Sequence, residues 1–135
     1  TEMIDEYELS EFVILLGRQP QECVKKLLQE ASIFVLPSIV TEIGGREGIP
    51  VALMEAMAMQ LPVVSTKTVG IPELIENEKE GLLVEQRNPE ELASALEFLL
   101  KNYEVRIEMG RRGREKVAQQ FNIDHVPVLF QDIFN

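Results

Sequence analysis

Short apolar runs alternate with amphipathic stretches along the 135 residues of this chain. Four of the runs have the length and the turn-forming boundaries of strands that are buried on both faces. These strands are predicted at residues 12–16, 33–36, 62–66 and 82–84. Helices are predicted between and after them, one beginning at Pro20 and another at Pro89 with Asn88 as its cap. Strands that alternate with helices predict an α/β fold with a parallel sheet and helices on both faces.

One helix in this pattern contains a charge where none is expected. The loop 38–48 holds three glycines and leads into a helix that begins at Pro50. From Val51 to Met59 every residue except Glu55 is apolar, which predicts a helix buried on all sides. An unpaired charge is costly there, so Glu55 is a candidate site residue. Glu47 precedes the start of this helix, where free N–H groups favour anions. The loop that contains Glu47 follows a predicted strand, and ligands of parallel sheets bind outside the carboxyl ends of the strands.

Composition excludes several classes of function. The net charge is −10 without a Lys/Arg-rich run, so nucleic acid and anionic membranes are poor partners. One cysteine (Cys23) and one histidine (His125) exclude an internal disulfide and a Cys/His metal cluster within the chain. No apolar run is long enough to predict a transmembrane segment. The chain begins at Thr1 inside what reads as a helix end, so we expect it to be part of a longer protein.

Six separate motifs follow one another along most of the chain. They are Pro37-Ser38, Glu47–Pro50, Glu55–Ala58, Leu61–Thr66, Gly70–Glu73 and Gly81–Val84. Together, from about Phe12 to Phe121, they resemble the donor-binding domain of family 4 retaining glycosyltransferases, and most closely the exopolysaccharide or colanic-acid type. The resemblance implies the C-terminal half of a GT-B fold whose N-terminal part is missing. Residues 1–120 would be a partial Rossmann-like donor-binding domain. Residues 121–135 would form a C-terminal helix that packs back on it or toward the missing N-terminal domain.

The resemblance also implies roles for single residues. Glu47 would meet the hydroxyls of the donor sugar near the reacting carbon, as the catalytic residue, and Glu55 would accept hydrogen bonds from the ribose. The implied donor-binding set is Glu47, Gly48, Ile49, Pro50, Val51 and Glu55. The implied nucleobase loop contains Arg18, Gln19 and Gln21. The alternatives are a structural carboxylate capping buried N–H groups at Glu55, a solvated loop charge at Glu47, and a plain helix-capping loop at 18–21.

One position departs from the family pattern. Gln60 stands where the family usually has the glycine that ends the motif helix. Either Gln60 takes a left-handed conformation, at a cost of roughly 1 kcal/mol, or the helix ends differently.

The implied activity is transfer of a sugar from a nucleoside diphosphate sugar (NDP-sugar) to an acceptor hydroxyl with retention, in polysaccharide or glycoconjugate synthesis. A sugar or lipid-linked acceptor would bind through the missing N-terminal domain. The family's diphosphate-clamping Arg and Lys would also precede this chain, so the chain alone is expected to be inactive. The sequence has no D-x-D motif, and neither a metal nor another cofactor is expected. The expected location is cytoplasmic, with peripheral membrane association of the full-length protein left open. Two alternatives remain: a non-catalytic α/β module that binds nucleotide sugars or serves a structural role, and a GT-B-fold epimerase.

Overall fold

A parallel sheet lies at the centre of the computed structural model, which describes residues 1–37, 51–68, 70–120, 126–131 and 133. Its strands are β1 (Phe34–Leu36), β2 (Val63–Thr66) and β3 (Gly81–Val84), in the order β1-β2-β3. The helices are α1 (Glu2–Glu6), α2 (Gln21–Glu30), α3 (Val51–Ala58), α4 (Ile71–Leu74), α5 (Pro89–Lys101), α6 (Tyr103–Gln120) and α7 (Val128–Gln131).

Helices cover both faces of this sheet. Successive side chains of a strand point to opposite faces, so the contacts of two neighbouring residues in β2 show what covers each face. Val63 of β2 packs in one core cluster with Leu53 and Met57 of α3. The next residue, Val64, packs in a second cluster with Leu99 of α5. The predicted α/β fold, a parallel sheet with helices on both faces, is therefore confirmed.

The register of the strands brings their carboxyl ends to one edge of the sheet. Leu36 of β1 lies opposite Ser65 of β2, and Thr66 lies opposite Val84 of β3. The Ser65 hydroxyl also donates a 2.7 Å hydrogen bond to the Leu36 carbonyl. The next described element after β1 is α3, so α3 follows the edge where ligands of parallel sheets bind.

The C-terminal end of α3 is held by its own turn and by α6. The Leu61 N–H donates to the Ala56 carbonyl at 3.1 Å, and the Gln60 N–H donates to the Met57 carbonyl at 3.0 Å. This pair of bonds is a Schellman motif, and Gln60 takes the left-handed φ of 63° that the motif requires. Gly110 of α6 lies directly against this turn: a Cβ there would stand 2.0 Å from the Gln60 carbonyl oxygen. The helix thus ends as the glycine-containing motif does, with glutamine in the left-handed position.

The predicted strand at residues 12–16 was wrong. This segment lies outside the sheet, and its side chains are largely solvent-exposed, 79% at Phe12 and 75% at Ile14. A strand needs a neighbouring strand to pair its N–H and C=O groups. Among the described residues, β1 and β3 both pair with β2, and no strand pairs with residues 12–16. The apolar run therefore has no partner strand in this part of the chain.

The last described residues contribute to the core. Val126 is 1% exposed and Phe130 of α7 is fully buried, and both belong to the cluster that contains α3. The division of the chain at residue 120 stays a prediction.

Candidate functional site

The helix α3 is buried except at its first turn. Leu53, Ala56 and Met57 are fully buried, whereas Val51 is 46% exposed. Glu55 is only 8% exposed and lies one helical turn after Val51. The prediction of a helix buried on all sides therefore holds from Leu53 onward. Glu55 lies within this buried part, on the same face as the exposed Val51.

The carboxylate of Glu55 binds a side chain from another helix. Nε2 of Gln21, the first residue of α2, donates a 3.1 Å hydrogen bond to Oε1 of Glu55. No second donor to Glu55 is found in the part of the chain that the structure describes. Burial raises the pKa of the Glu55 carboxyl above its ordinary value, and the Gln21 hydrogen bond opposes this effect without cancelling it.

The three residues of the predicted nucleobase loop have different surroundings. Arg18 is exposed. The Gln19 side chain donates a 2.7 Å hydrogen bond to the Leu16 carbonyl within its own loop, and among the described residues no side chain caps the start of α2. Gln21 instead turns to Glu55. The structure thus brings together two predicted site residues, Gln21 and Glu55, that the sequence analysis had assigned to different parts of the ligand.

A second buried carboxylate provides a comparison for Glu55. Glu80 is also 8% exposed, but its side chain accepts a 2.8 Å hydrogen bond from the Glu76 N–H. The Lys116 ammonium lies 3.7 Å from its other carboxylate oxygen. Glu80 is therefore a structural carboxylate with a backbone donor and a cation. In the described residues Glu55 has neither.

The carboxyl edge of the sheet carries a small pocket that the sequence analysis missed. It has a volume of about 180 Å³ and includes Pro37, Thr66, Val84 and Leu92 in its lining. Pro37, Thr66 and Val84 each belong to one of the quoted motifs, which was the one signal for the pocket in the sequence. Its lining contains none of the predicted site residues.

Four of the predicted donor-binding residues lie outside the described residues. A fifth, Val51, lies at the start of α3. Glu47, Gly48, Ile49 and Pro50 belong to the first group, so their roles stay predictions. Within the described ranges, no helix combines the length and the apolar character needed to cross a membrane.

A parallel sheet covered on both faces defines an α/β domain, a class in which ligands bind outside the carboxyl ends of the strands. Residues 1–116 match the model of the family described as glycosyl transferases group 1. The chain therefore belongs to this family of glycosyltransferases.

Two relatives and one solved structure illustrate the similarity. WcaL of Salmonella typhimurium is named as a colanic acid biosynthesis glycosyltransferase. It is 46% identical to this chain over 121 residues, which are 89% of this chain and 30% of WcaL. The amylovoran biosynthesis glycosyltransferase AmsK of Erwinia amylovora is 45% identical over 115 residues, 85% of this chain and 28% of AmsK. HepE from Anabaena, solved in complex with UDP-glucose, superimposes with a TM-score of 0.78 at 21% identity, covering 98% of this chain and 35% of HepE. The chain thus spans about a third of these proteins or less.

Proposed function

We propose that this chain is the donor-binding part of a glycosyltransferase that transfers a sugar from an NDP-sugar to an acceptor hydroxyl, with retention, in exopolysaccharide synthesis. Family membership and the names of WcaL and AmsK support the reaction class and the polymer. The UDP-glucose complex of HepE supports a nucleotide sugar as the donor. The acceptor would bind to the rest of the longer protein.

The contrast between Glu55 and Glu80 carries this proposal. A carboxylate that only stabilises the fold is expected to bind backbone N–H groups or a cation, as Glu80 does. Glu55 is equally buried but binds one neutral amide, and its second oxygen meets no donor among the described residues. A carboxylate can only accept hydrogen bonds, and a ribose diol offers two donors. Ribose recognition by Glu55 would explain why this charge is kept in a costly place.

The remaining steps of the proposed reaction follow the family resemblance. Glu47 would hold the sugar hydroxyls while the glycosyl–phosphate bond breaks. The free N–H groups at the start of the motif helix would stabilise the charge that develops on the leaving diphosphate. No step requires a metal ion, so we expect turnover by the full-length protein to survive an excess of EDTA.

Calorimetry with UDP, GDP and their sugars tests the donor site. We expect Glu55→Gln to weaken nucleotide binding about tenfold or more, because a hydrogen bond to a charged group contributes about 1.5–3 kcal/mol. Glu80→Gln is the matched control, since it removes an equally buried charge outside the site, and it should leave the affinity unchanged. Equal affinities of wild type and Glu55→Gln would refute ribose recognition and favour a structural module.

Turnover assays on the full-length protein separate a transferase from an epimerase. A transferase needs an added acceptor, and a retaining one gives a product whose anomeric configuration, read by NMR, matches that of the donor. Formation of an isomer from the NDP-sugar alone would instead identify an epimerase.

A further inference from the structure

The hydrogen bond between Gln21 and Glu55 joins two helices that are far apart in the sequence. Gln21 begins α2, and Glu55 lies in α3, 34 positions later. The bond reaches one carboxylate oxygen, Oε1. α3 is also held by its buried side chains and its Schellman turn.

A neutral amide suits this position for a chemical reason. A lysine or arginine would neutralise the buried carboxylate and could occupy both of its oxygens. The Nε2 group of glutamine stabilises the charged form through one hydrogen bond and adds no charge. The carboxylate therefore keeps its negative charge and one oxygen for a further donor.

We propose that Gln21 is a positioning residue for Glu55: its amide fixes one carboxylate oxygen so that the other is oriented toward the donor hydroxyls of a nucleotide ribose. This inference rests on the proposed function and changes the role implied for Gln21 by the family resemblance. Gln21 would act through Glu55, without contacting the nucleobase.

A double-mutant cycle on UDP binding tests the proposal. Gln21→Met keeps the length of the side chain and removes the donor. We expect it to weaken UDP binding about threefold to tenfold when Glu55 is present, the usual range for one hydrogen bond. In the Glu55→Gln background the same change should have less than about a twofold effect, because interacting residues are not additive. Gln29→Met, an exposed change of the same type in α2, is the control and should bind UDP as wild type does.

A titration of the Glu55 side-chain carboxyl carbon by NMR gives a readout that simple packing would not change. Removing the amide of Gln21 should raise the pKa of Glu55 further, since a donor to the charged form is lost. Gln29→Met should leave it unchanged. The signal is assigned by its disappearance in Glu55→Gln.

The outcomes distinguish this inference from the proposed function. If Glu55→Gln weakens UDP binding and Gln21→Met does not, the donor site stands and the positioning role is refuted. If Gln21→Met weakens binding equally in both backgrounds, or leaves the titration of Glu55 unchanged, Gln21 does not act through Glu55. If neither change affects UDP binding, the proposed function itself fails.

Discussion

Replacement of Gly110 by alanine should weaken the attachment of α6 to the end of α3. The added Cβ would lie 2.0 Å from the carbonyl oxygen of Gln60 and 2.8 Å from its carbonyl carbon. Both are backbone atoms, so no side-chain rotation can relieve the contact and a helix or the turn must move. Overpacking of this kind costs up to about 3 kcal/mol, and alanine returns up to about 1 kcal/mol of helix propensity. We expect a net loss of about 2 kcal/mol in the free energy of unfolding.

Gly113 provides a matched control in the same helix. It is buried like Gly110, but a Cβ there would meet side-chain atoms of Met57 at 3.5–3.6 Å, which is ordinary van der Waals contact. Gly113→Ala should therefore gain about 0.5–1 kcal/mol from helix propensity alone. The two alanine variants are expected to change the unfolding free energy in opposite directions.

Urea denaturation followed by far-ultraviolet circular dichroism measures both variants, since the chain contains no tryptophan for fluorescence. The midpoint should shift while the slope of the transition stays the same, which indicates a change in stability alone. The reasoning would be refuted if Gly110→Ala were as stable as Gly113→Ala. It would also be refuted if Gly110→Ala unfolded within about 0.5 kcal/mol of wild type.

Three further changes test other parts of the structure by urea denaturation. Burial raises the pKa of Glu55, so the folded chain holds more protons than the unfolded chain above the ordinary glutamate value of 4.5. The ionisation of Glu55 therefore lowers the free energy of unfolding as pH rises through that range. Glu55→Gln should gain stability relative to wild type toward neutral pH. A difference in unfolding free energy that stays constant with pH would contradict the pKa shift. Asn88→Ala should lose about 1 kcal/mol by removing the α5 cap, in which Oδ1 accepts from the Glu91 N–H at 3.0 Å, and Asn88→Asp should retain most of it. Ile14→Ser should stay within about 0.5 kcal/mol of wild type because Ile14 is 75% exposed, whereas a loss above about 1.5 kcal/mol would show that the side chain is buried.

Elements with a local signal could be predicted from the sequence. The cap of α5 is one case, because Asn88, Pro89 and Glu91 fit a helix start by their own chemistry, and the helix begins there in the structure. The strand β2, Val63–Thr66, lies within the predicted range 62–66. Each of these elements depends on residues that are neighbours in the chain, so a short window contains the whole signal.

The segment 12–16 carries the same apolar signal but has no partner strand within the described residues. Apolar periodicity indicates that a segment is suited to burial, whereas pairing depends on residues elsewhere in the chain. The partner of Glu55 was missed for a related reason. A lone charge in an apolar helix indicates that a donor must be near, but nothing in the sequence distinguishes Gln21, 34 positions away, from other donors.

The choice of glutamate at position 55 supports the proposed role in ligand binding. Glutamine there would have the same shape, could still accept the hydrogen bond from Gln21, and would avoid burying a charge. The rest of α3 follows the requirements of burial closely, with Leu53 and Met57 fully buried and a complete Schellman turn at its end. Positions that break the local rules of an otherwise consistent element are expected at functional sites. Among the described residues nothing requires a charge at position 55, so the carboxylate supports the proposed ribose ligand, whose diol would offer two donors to a group that can only accept.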